Sequence, residues 1–272
     1  MKSGNYNFQT QKLGLQSIAN LRELGGYVLP DGRKVRRGVL FRGATLNSAT
    51  DEDLVALRER FNLSIDFDFR TKVEIEHKPD RVPEGVKYVW LPTIDPDTEE
   101  DAGTPFPREA YLDLGNWLVK NAENPMVQNI ARHMYTDMIQ NEYTQVQYAG
   151  FMQMLLKNEG GAVYWHCSQG KDRTGLGTAF VLAALGADRS LILEDYAISE
   201  DVYKEELDAY SSKVSSDAAF QVLRTFISVN VDYFNNALDF IDRRYGSLIS
   251  YLKGPLMLTD EDFETLRKKY TE

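Results

Sequence analysis

Short apolar runs alternate along this chain with longer stretches of helical periodicity. Residues 64–69 (SIDFDF) and 86–91 (VKYVWL) alternate as strands do, and residues 161–165 (GAVYW) form a short apolar run typical of a buried strand. Residues 20–46, with Gly-Gly and Pro-Asp-Gly turn signals, predict a small β-hairpin region that carries several basic residues.

Helical segments separate these strands. Thr50 is the expected N-cap of the first helix, because three acidic residues follow it and favour the positive end of a helix dipole. Residues 95–107 (DPDTEEDAGTPFP) are acidic and rich in helix breakers, so they predict an exposed loop. Further helices are expected over residues 109–158 with a break near Asn124, over 174–185, over 191–251, and from Thr259.

Strands that alternate with helices predict an α/β fold with a central, mostly parallel sheet flanked by helices. No internal repeat of 20–50 residues divides the 272-residue chain. We therefore expect a single domain over residues 1–272, in which residues 97–135 and 190–250 are helical elaborations.

Composition narrows the classes of function. The chain has 31 basic and 41 acidic side chains, and its net charge of −10 makes it a poor binder of nucleic acids and of anionic membrane surfaces. One cysteine excludes an internal disulfide and any multi-cysteine metal site, and the three histidines have no i, i+4 spacing. We expect no cofactor, no metal, no nucleic-acid partner and no stable membrane insertion.

The amino terminus (MKSGNYNFQTQKLGLQ) lacks the apolar core of a secretory signal, which favours a cytoplasmic protein. A chain whose signal had been removed would look the same, so export stays open. The sequence leaves the oligomeric state undecided.

The chemistry of the chain is concentrated in residues 164–175 (YWHCSQGKDRTG). A buried strand ends at His166-Cys167, a polar loop follows, and an apolar helix begins near Thr174. Backbone N–H groups of such a loop, with those of the first helical turn, form an anion site that lowers the pKa of a thiol. Gly170 lets the backbone approach a ligand closely, and Arg173 offers a planar fork that matches two phosphate oxygens.

The other residues of this segment have supporting tasks. The Thr174 hydroxyl can donate to the sulfur, and the His166 ring can fix the loop. A lone cysteine is most often a small buried apolar residue, but its spacing to Gly170 and Arg173 favours an active site. A nucleotide-binding P-loop is excluded, because Asp172 stands where Ser or Thr is required. The expected phosphate-binding residues are Ser168, Gln169, Gly170, Lys171 and Thr174.

The sequence HCSQGKDRTG resembles the C-x5-R-[ST] signature of the protein tyrosine phosphatase superfamily. Its Lys-Asp pair is similar to that of the bacterial atypical branch, which acts on phosphotyrosine and, in some members, on phosphoinositides. NLRELGGY with VRRGVLFRGATL, DFRTKVEIEHKPDRVPEGVKYVWLP, and YLKGPLMLTDEDFETLRKKY resemble further signatures of that branch. The resemblance implies a phosphatase-like fold and a cysteine-dependent phosphomonoester hydrolase that needs no cofactor.

In that mechanism the Cys167 thiolate attacks phosphorus, while Arg173 and the loop N–H groups stabilise the transition state. The leaving group needs a proton, and three aspartates compete to supply it. Asp95 fits the family's mobile acid position best, Asp172 lies within the loop, and Asp97 is the third candidate.

Four further residues carry expectations. Lys171 either raises the positive potential at the mouth of the site or is a solvated loop lysine. The family's R-[SG]-[AG] segment lies near the active site, so the resemblance allows Arg42 a supporting position behind it, but a surface position is the preferred expectation. Arg70 and Glu74 are predicted to form a structural ion pair across one helical turn, with neither of them catalytic.

The favoured function is a protein tyrosine phosphatase, with a phosphorylated protein as substrate. A phosphoinositide or inositol phosphate is the alternative substrate for the same site. A non-catalytic phosphate-binding module and a rhodanese-like sulfurtransferase are less favoured, because the nucleophile, the arginine and candidate acids are all present and the Arg-Thr-Gly helix start suits a phosphatase better.

Overall fold

The structure is a computed structural model that describes residues 13–15, 17–95 and 113–272. Within this part of the chain, five strands form one sheet in the order β1-β2-β5-β3-β4. β1 is antiparallel to β2, and the other pairings are parallel, so the predicted α/β fold with a mostly parallel sheet is confirmed. The strands are β1 (Arg22–Glu23), β2 (Leu40–Gly43), β3 (Leu63–Asp68), β4 (Lys87–Trp90) and β5 (Ala162–His166).

Helices flank this sheet. The helix α6 (Asp172–Leu185) is the next element after β5 and is almost wholly buried, as its apolar sequence predicts. The described helices are α1 (Asp51–Glu59), α2 (Lys72–His77), α3 (Leu114–Asn121), α4 (Pro125–Gln140), α5 (Glu142–Lys157), α6 (Asp172–Leu185), α7 (Arg189–Ser211), α8 (Asp217–Ile227), α9 (Val231–Tyr245), α10 (Leu248–Lys253) and α11 (Asp260–Tyr270).

β5 lies at the centre of the sheet and is buried on both faces, as central strands of parallel sheets are. Val163 and Trp165 pack in the main apolar core with α5 and α6, while Ala162 and Tyr164 pack on the opposite face with α1. His166 is the last residue of β5, and its side chain lies on the same face of the sheet as that of Tyr164. It is therefore at the end of the strand where the loop to α6 begins.

A separate apolar cluster joins α3, α4, the end of α7 and α8. These helices come from the segments that the sequence assigns to helical additions, 97–135 and 190–250. Residues 97–112 of the first addition, with Asp97 and all of the predicted 95–107 loop after Asp95, lie outside the described residues.

The helix boundaries follow local capping chemistry. Thr50 caps α1 in a capping box with Asp53, and Asn124 caps α4 with Pro125 at the first helical position. A further break at Asn141, which the periodicity did not predict, ends α4 and caps α5. None of the described helices combines the length and apolarity needed to cross a membrane.

Candidate active site

The loop between β5 and α6, residues 167–171, forms the floor of the candidate site. We call it the phosphate loop. Gly170 has a φ of +65°, and a Cβ built there would lie 2.1 Å from the carbonyl carbon and oxygen of Gly43. The loop therefore packs directly on the end of β2, and only glycine fits both the backbone conformation and the space.

The helix that follows this loop begins without a side-chain cap. Lys171 is the N-cap of α6 and makes no capping hydrogen bond, whereas a side chain caps each of the other α-helices that the structure describes. The first N–H groups of α6 therefore have no N-cap side chain as acceptor. An anion at the phosphate loop is the acceptor that this arrangement favours.

Cys167 lies at the start of the loop, 2% exposed. Burial raises the pKa of its thiol. Arg173 and the hydroxyl and backbone N–H of Thr174 lower that pKa by more than burial raises it, so the pKa lies below its usual value. These electrostatic surroundings favour the thiolate form of Cys167, which is the form a nucleophile needs.

Glu74 of α2 holds the arginine. Its carboxylate accepts from Arg173 Nη1 at 2.7 Å and Nη2 at 2.6 Å, and also from the Ser168 hydroxyl. Burial raises the pKa of Glu74, but Arg173 and Ser168 lower it more, to about 2. The bidentate pair fixes the plane of the guanidinium beside the phosphate loop.

The predicted ion pair between Arg70 and Glu74 is wrong. Arg70 is fully buried and donates to Asp68 and Asp80, while Glu74 is committed to Arg173. The partner of Glu74 lies 99 residues away, so helical spacing alone gave no signal for this contact.

The His166 ring is fully buried at the end of β5, where the phosphate loop begins. Burial lowers the pKa of its ring, but Asp68 and Asp66 raise it more, to about 10. Nε2 lies 3.3 Å from Asp66 Oδ1 and 3.2 Å from Asp80 Oδ2, and Nδ1 lies 3.3 Å from the Cys167 carbonyl oxygen. The ring contact that the sequence assigns to the loop is therefore present.

Asp66, Asp80 and His166 place potential metal ligands within 4.8 Å of one another. The Asp80 oxygen that faces His166 also accepts from Arg70. The imidazolium and the guanidinium thus already supply positive charge to these carboxylates, and an ion would have to compete with both of them.

Lys171 does not lie at the mouth of the site. Its side chain is 1% exposed, and Nζ donates to Asp172 Oδ2 at 2.7 Å and to the Thr225 carbonyl at 2.9 Å. The expectation of a mouth-lining or solvated lysine is wrong, because the chain folds α8 over this ammonium. Lys171 instead ties the phosphate loop to α8.

The two described candidates for the general acid have different surroundings. Asp172 Oδ1 accepts from the Tyr135 hydroxyl at 2.5 Å, and its other oxygen accepts from Lys171. Asp95 lies beyond the end of β4, in a partly buried position.

The expected surface position of Arg42 is also wrong. Its side chain is fully buried, forms an ion pair with Asp195 of α7, and donates to the Gly170 carbonyl at 2.8 Å. The signature NLRELGGY, in which we singled out no functional residue, contributes Asn20 to the same group of contacts. The resemblance of NLRELGGY to a family signature was the available signal for Asn20.

Comparison with known proteins agrees with this geometry. A family model described as the tyrosine phosphatase family matches residues 13–272. A protein of Cupriavidus necator that bears the name of a tyrosine-protein phosphatase is 27% identical over 270 residues, covering 95% of this chain and 88% of the relative. The triple specificity protein phosphatase PtpB of Mycobacterium tuberculosis is 31% identical over 240 residues, covering 80% of this chain and 86% of the relative.

Proposed function

The chain belongs to the tyrosine phosphatase family and is a protein tyrosine phosphatase, and on that premise we propose that Cys167 is its nucleophile and Arg173 its phosphate-binding cation. One observation carries the proposal. A thiol whose pKa is lowered by Arg173 lies in the phosphate loop that leads into the uncapped amino terminus of α6. We further propose that residues 1–272 form one phosphatase domain.

The reaction proceeds in two displacements. The Cys167 thiolate attacks phosphorus in line, an S–P bond forms, and the ester P–O bond breaks as the leaving oxygen takes a proton from an acid. Water then attacks the cysteinyl-phosphate, loses a proton to a base, and releases inorganic phosphate and the thiolate.

Charge in the transition state is met by groups that are already oriented. The first-turn N–H groups of α6 have no side-chain cap, and Glu74 fixes the Arg173 guanidinium by two hydrogen bonds. Because these donors need no reorganisation, they stabilise the negative charge on the equatorial oxygens more strongly in the transition state than in the ground state. We propose that Ser168 and Gln169 of the phosphate loop and Thr174 of α6 also surround the phosphate.

We propose Asp95 as the general acid, with Asp172 as the alternative. Both oxygens of Asp172 are already acceptors, one for the Lys171 ammonium and one for the Tyr135 hydroxyl. A proton on either oxygen would therefore compete with one of these donors. Asp95 follows β4, whose parallel partner β3 lies beside β5, so its segment leaves the same edge of the sheet as the phosphate loop.

The nucleophile is tested by Cys167→Ser with p-nitrophenyl phosphate. Turnover should be lost while the circular dichroism spectrum and melting temperature stay those of the wild type. Turnover of the variant near the wild-type rate would exclude Cys167 as nucleophile. The wild-type protein is also assayed with thiosulfate. Turnover of thiosulfate but not of phosphate esters would indicate a sulfurtransferase.

The acid is tested with aryl phosphates of increasing leaving-group pKa. Asp95→Asn should lower kcat by about 100-fold for poor leaving groups and little for good ones, since only the former need protonation. Asp172→Asn is the matched variant. A flat response for Asp95→Asn with a steep one for Asp172→Asn would transfer the role to Asp172.

Phosphotyrosine peptides are the substrate class that we favour over inositol lipids. The loop lysine that could bind a second phosphate is buried and neutralised by Asp172. The triple specificity of the Mycobacterium tuberculosis relative, as its name states, keeps the second class as a candidate. A panel at one pH should rank phosphotyrosine peptides above phosphoserine peptides and phosphoinositides, and the reverse rank would reject the preference.

A further inference from the structure

Asn20 has an unusual backbone conformation beneath the phosphate loop. Its φ is +57°, in the left-handed region that side chains rarely adopt, and it is only 6% exposed. Its amide nitrogen donates to the Gln169 carbonyl at 3.1 Å and to the Gly170 carbonyl at 2.9 Å. The left-handed backbone thus holds the Asn20 amide against two carbonyls of the phosphate loop.

The other end of the Asn20 side chain is fixed as well. Arg22 Nη1 donates to Asn20 Oδ1 at 2.6 Å, whereas the Ser199 hydroxyl oxygen lies near both ends of the amide, 3.1 Å from Nδ2 and 3.2 Å from Oδ1. Arg22 in turn is paired with the buried Asp195 through Nε at 3.1 Å. These contacts determine which end of the amide faces the loop, so nitrogen rather than oxygen points at the carbonyls.

The direction of those carbonyls decides the direction of the loop N–H groups. In a trans peptide plane the carbonyl of one residue and the N–H of the next point in opposite directions. Holding the Gln169 and Gly170 carbonyls toward Asn20 therefore turns the N–H groups of Gly170 and Lys171 to the opposite side of the loop. On the proposed function of the loop, a phosphoryl group bound on that side would accept from these N–H groups.

We propose that Asn20 is a positioning residue for the reaction, which orients the phosphate-loop amides through the Gln169 and Gly170 carbonyls. The inference rests on the proposed function of the loop. Asn20 shares this task, since Tyr203 also donates to the Gln169 carbonyl and Arg42 to that of Gly170. Each carbonyl keeps one donor when Asn20 is removed, so the loop loses accuracy rather than its fold.

Asn20→Gly is the main test, because glycine adopts the left-handed conformation without strain and only the amide is lost. We expect kcat/KM for p-nitrophenyl phosphate to fall about 10- to 100-fold, mostly in kcat, which is less than the loss from deleting an oxyanion donor itself. Inhibition by orthovanadate, which mimics the transition state, should weaken in parallel. Asn62→Gly is the matched control, since Asn62 is also left-handed (φ +50°) but exposed, in the turn after α1.

The reactivity of the Cys167 sulfur can be measured separately, and it would not change if Asn20 had only a structural role. Since the chain has one cysteine, the pH profile of iodoacetamide alkylation reports Cys167 alone. With the amides misdirected, this profile should move to higher pH in Asn20→Gly and stay unchanged in Asn62→Gly.

Asn20→Asp keeps the oxygen that accepts from Arg22 but has no N–H for the carbonyls, so it tests the same role if Asn20→Gly fails to fold. Wild-type kcat/KM with an unshifted alkylation profile in either folded variant would overturn the inference. Absence of turnover in the wild type would instead reject the proposed function, whatever Asn20 does.

Discussion

Glu74 illustrates how a residue outside the loop controls the loop's chemistry. Its two oxygens hold both terminal nitrogens of Arg173 and also accept from the Ser168 hydroxyl. Glu74→Gln leaves one acceptor and removes the charge, so the guanidinium gains freedom. We expect kcat/KM to fall about 100-fold, because a catalytic group displaced by about 1 Å loses that much.

Glu76→Gln is the control for this prediction, because Glu76 lies on the same helix and its side chain is 55% exposed. Steady-state kinetics of both variants should show the loss in Glu74→Gln alone. Equal kinetics in the two variants would show that Arg173 is positioned without its carboxylate partner.

The raised pKa of His166 predicts that the free energy of unfolding falls as the pH becomes alkaline. Its pKa is about 10 in the folded chain against 6.5 ordinarily, so its contribution to folding is complete below pH 6.5 and is lost as pH rises through about 10. The stability gap between wild type and His166→Gln should narrow by a few kcal/mol across this range, since one pKa unit corresponds to about 1.4 kcal/mol.

Urea unfolding of both proteins at a series of pH values measures that gap. His133→Gln is the comparison, because His133 is exposed on α4. A gap that stays constant up to pH 10 would show that the ring is neutral among Asp66, Asp68 and Asp80.

At the scale of elements, the junction of β5, the phosphate loop and α6 depends on Gly170. A Cβ there would meet the backbone of Gly43 at 2.1 Å, in a left-handed conformation. Gly38 is also left-handed (φ +73°) but has open space around its Cβ position. Alanine substitutions at these two positions therefore distinguish the effect of backbone strain alone from the added effect of a collision with β2.

Gly38→Ala should cost about 1–2 kcal/mol of unfolding free energy, the strain of a left-handed alanine, with kinetics unchanged. Gly170→Ala should cost more and should lower kcat/KM about 100-fold, since the loop must move off β2. Chemical denaturation and p-nitrophenyl phosphate kinetics check both values. Similar stability and activity in the two variants would mean that the loop tolerates displacement.

These elements also show what a sequence reveals and where it stops. The strand, the phosphate loop and the start of α6 were predictable because all their determinants lie within 164–175. The start of α1 was predictable because Thr50 and the three acidic residues after it form a local N-terminal signal. The contacts of Arg42 and Glu74 were not, because their partners lie 153 and 99 residues away. Local spacing predicts elements and motifs, whereas the ion pairs that orient them arise only when the sheet and helices assemble.

At the scale of the whole molecule, the anion site works against the net charge. The phosphate loop binds an anion, yet the 31 basic and 41 acidic side chains give −10 overall. Lys171, which could add local positive charge, is neutralised within the fold by Asp172. The long-range field therefore repels anionic substrates, and only the short-range donors of the loop attract them.

This balance predicts a preference for phosphotyrosine peptides with basic flanks. At low ionic strength, kcat/KM should be higher for a peptide with lysines around the phosphotyrosine than for the same peptide with glutamates, because steering acts on the encounter rate. The difference should shrink as salt is raised to about 0.5 M, where screening confines charge effects to a few Å. p-Nitrophenyl phosphate is the control, since it has no flanks and its response gives the salt effect on the site alone. A preference for the acidic peptide that persists at high salt would show that local contacts, rather than the net field, select the substrate.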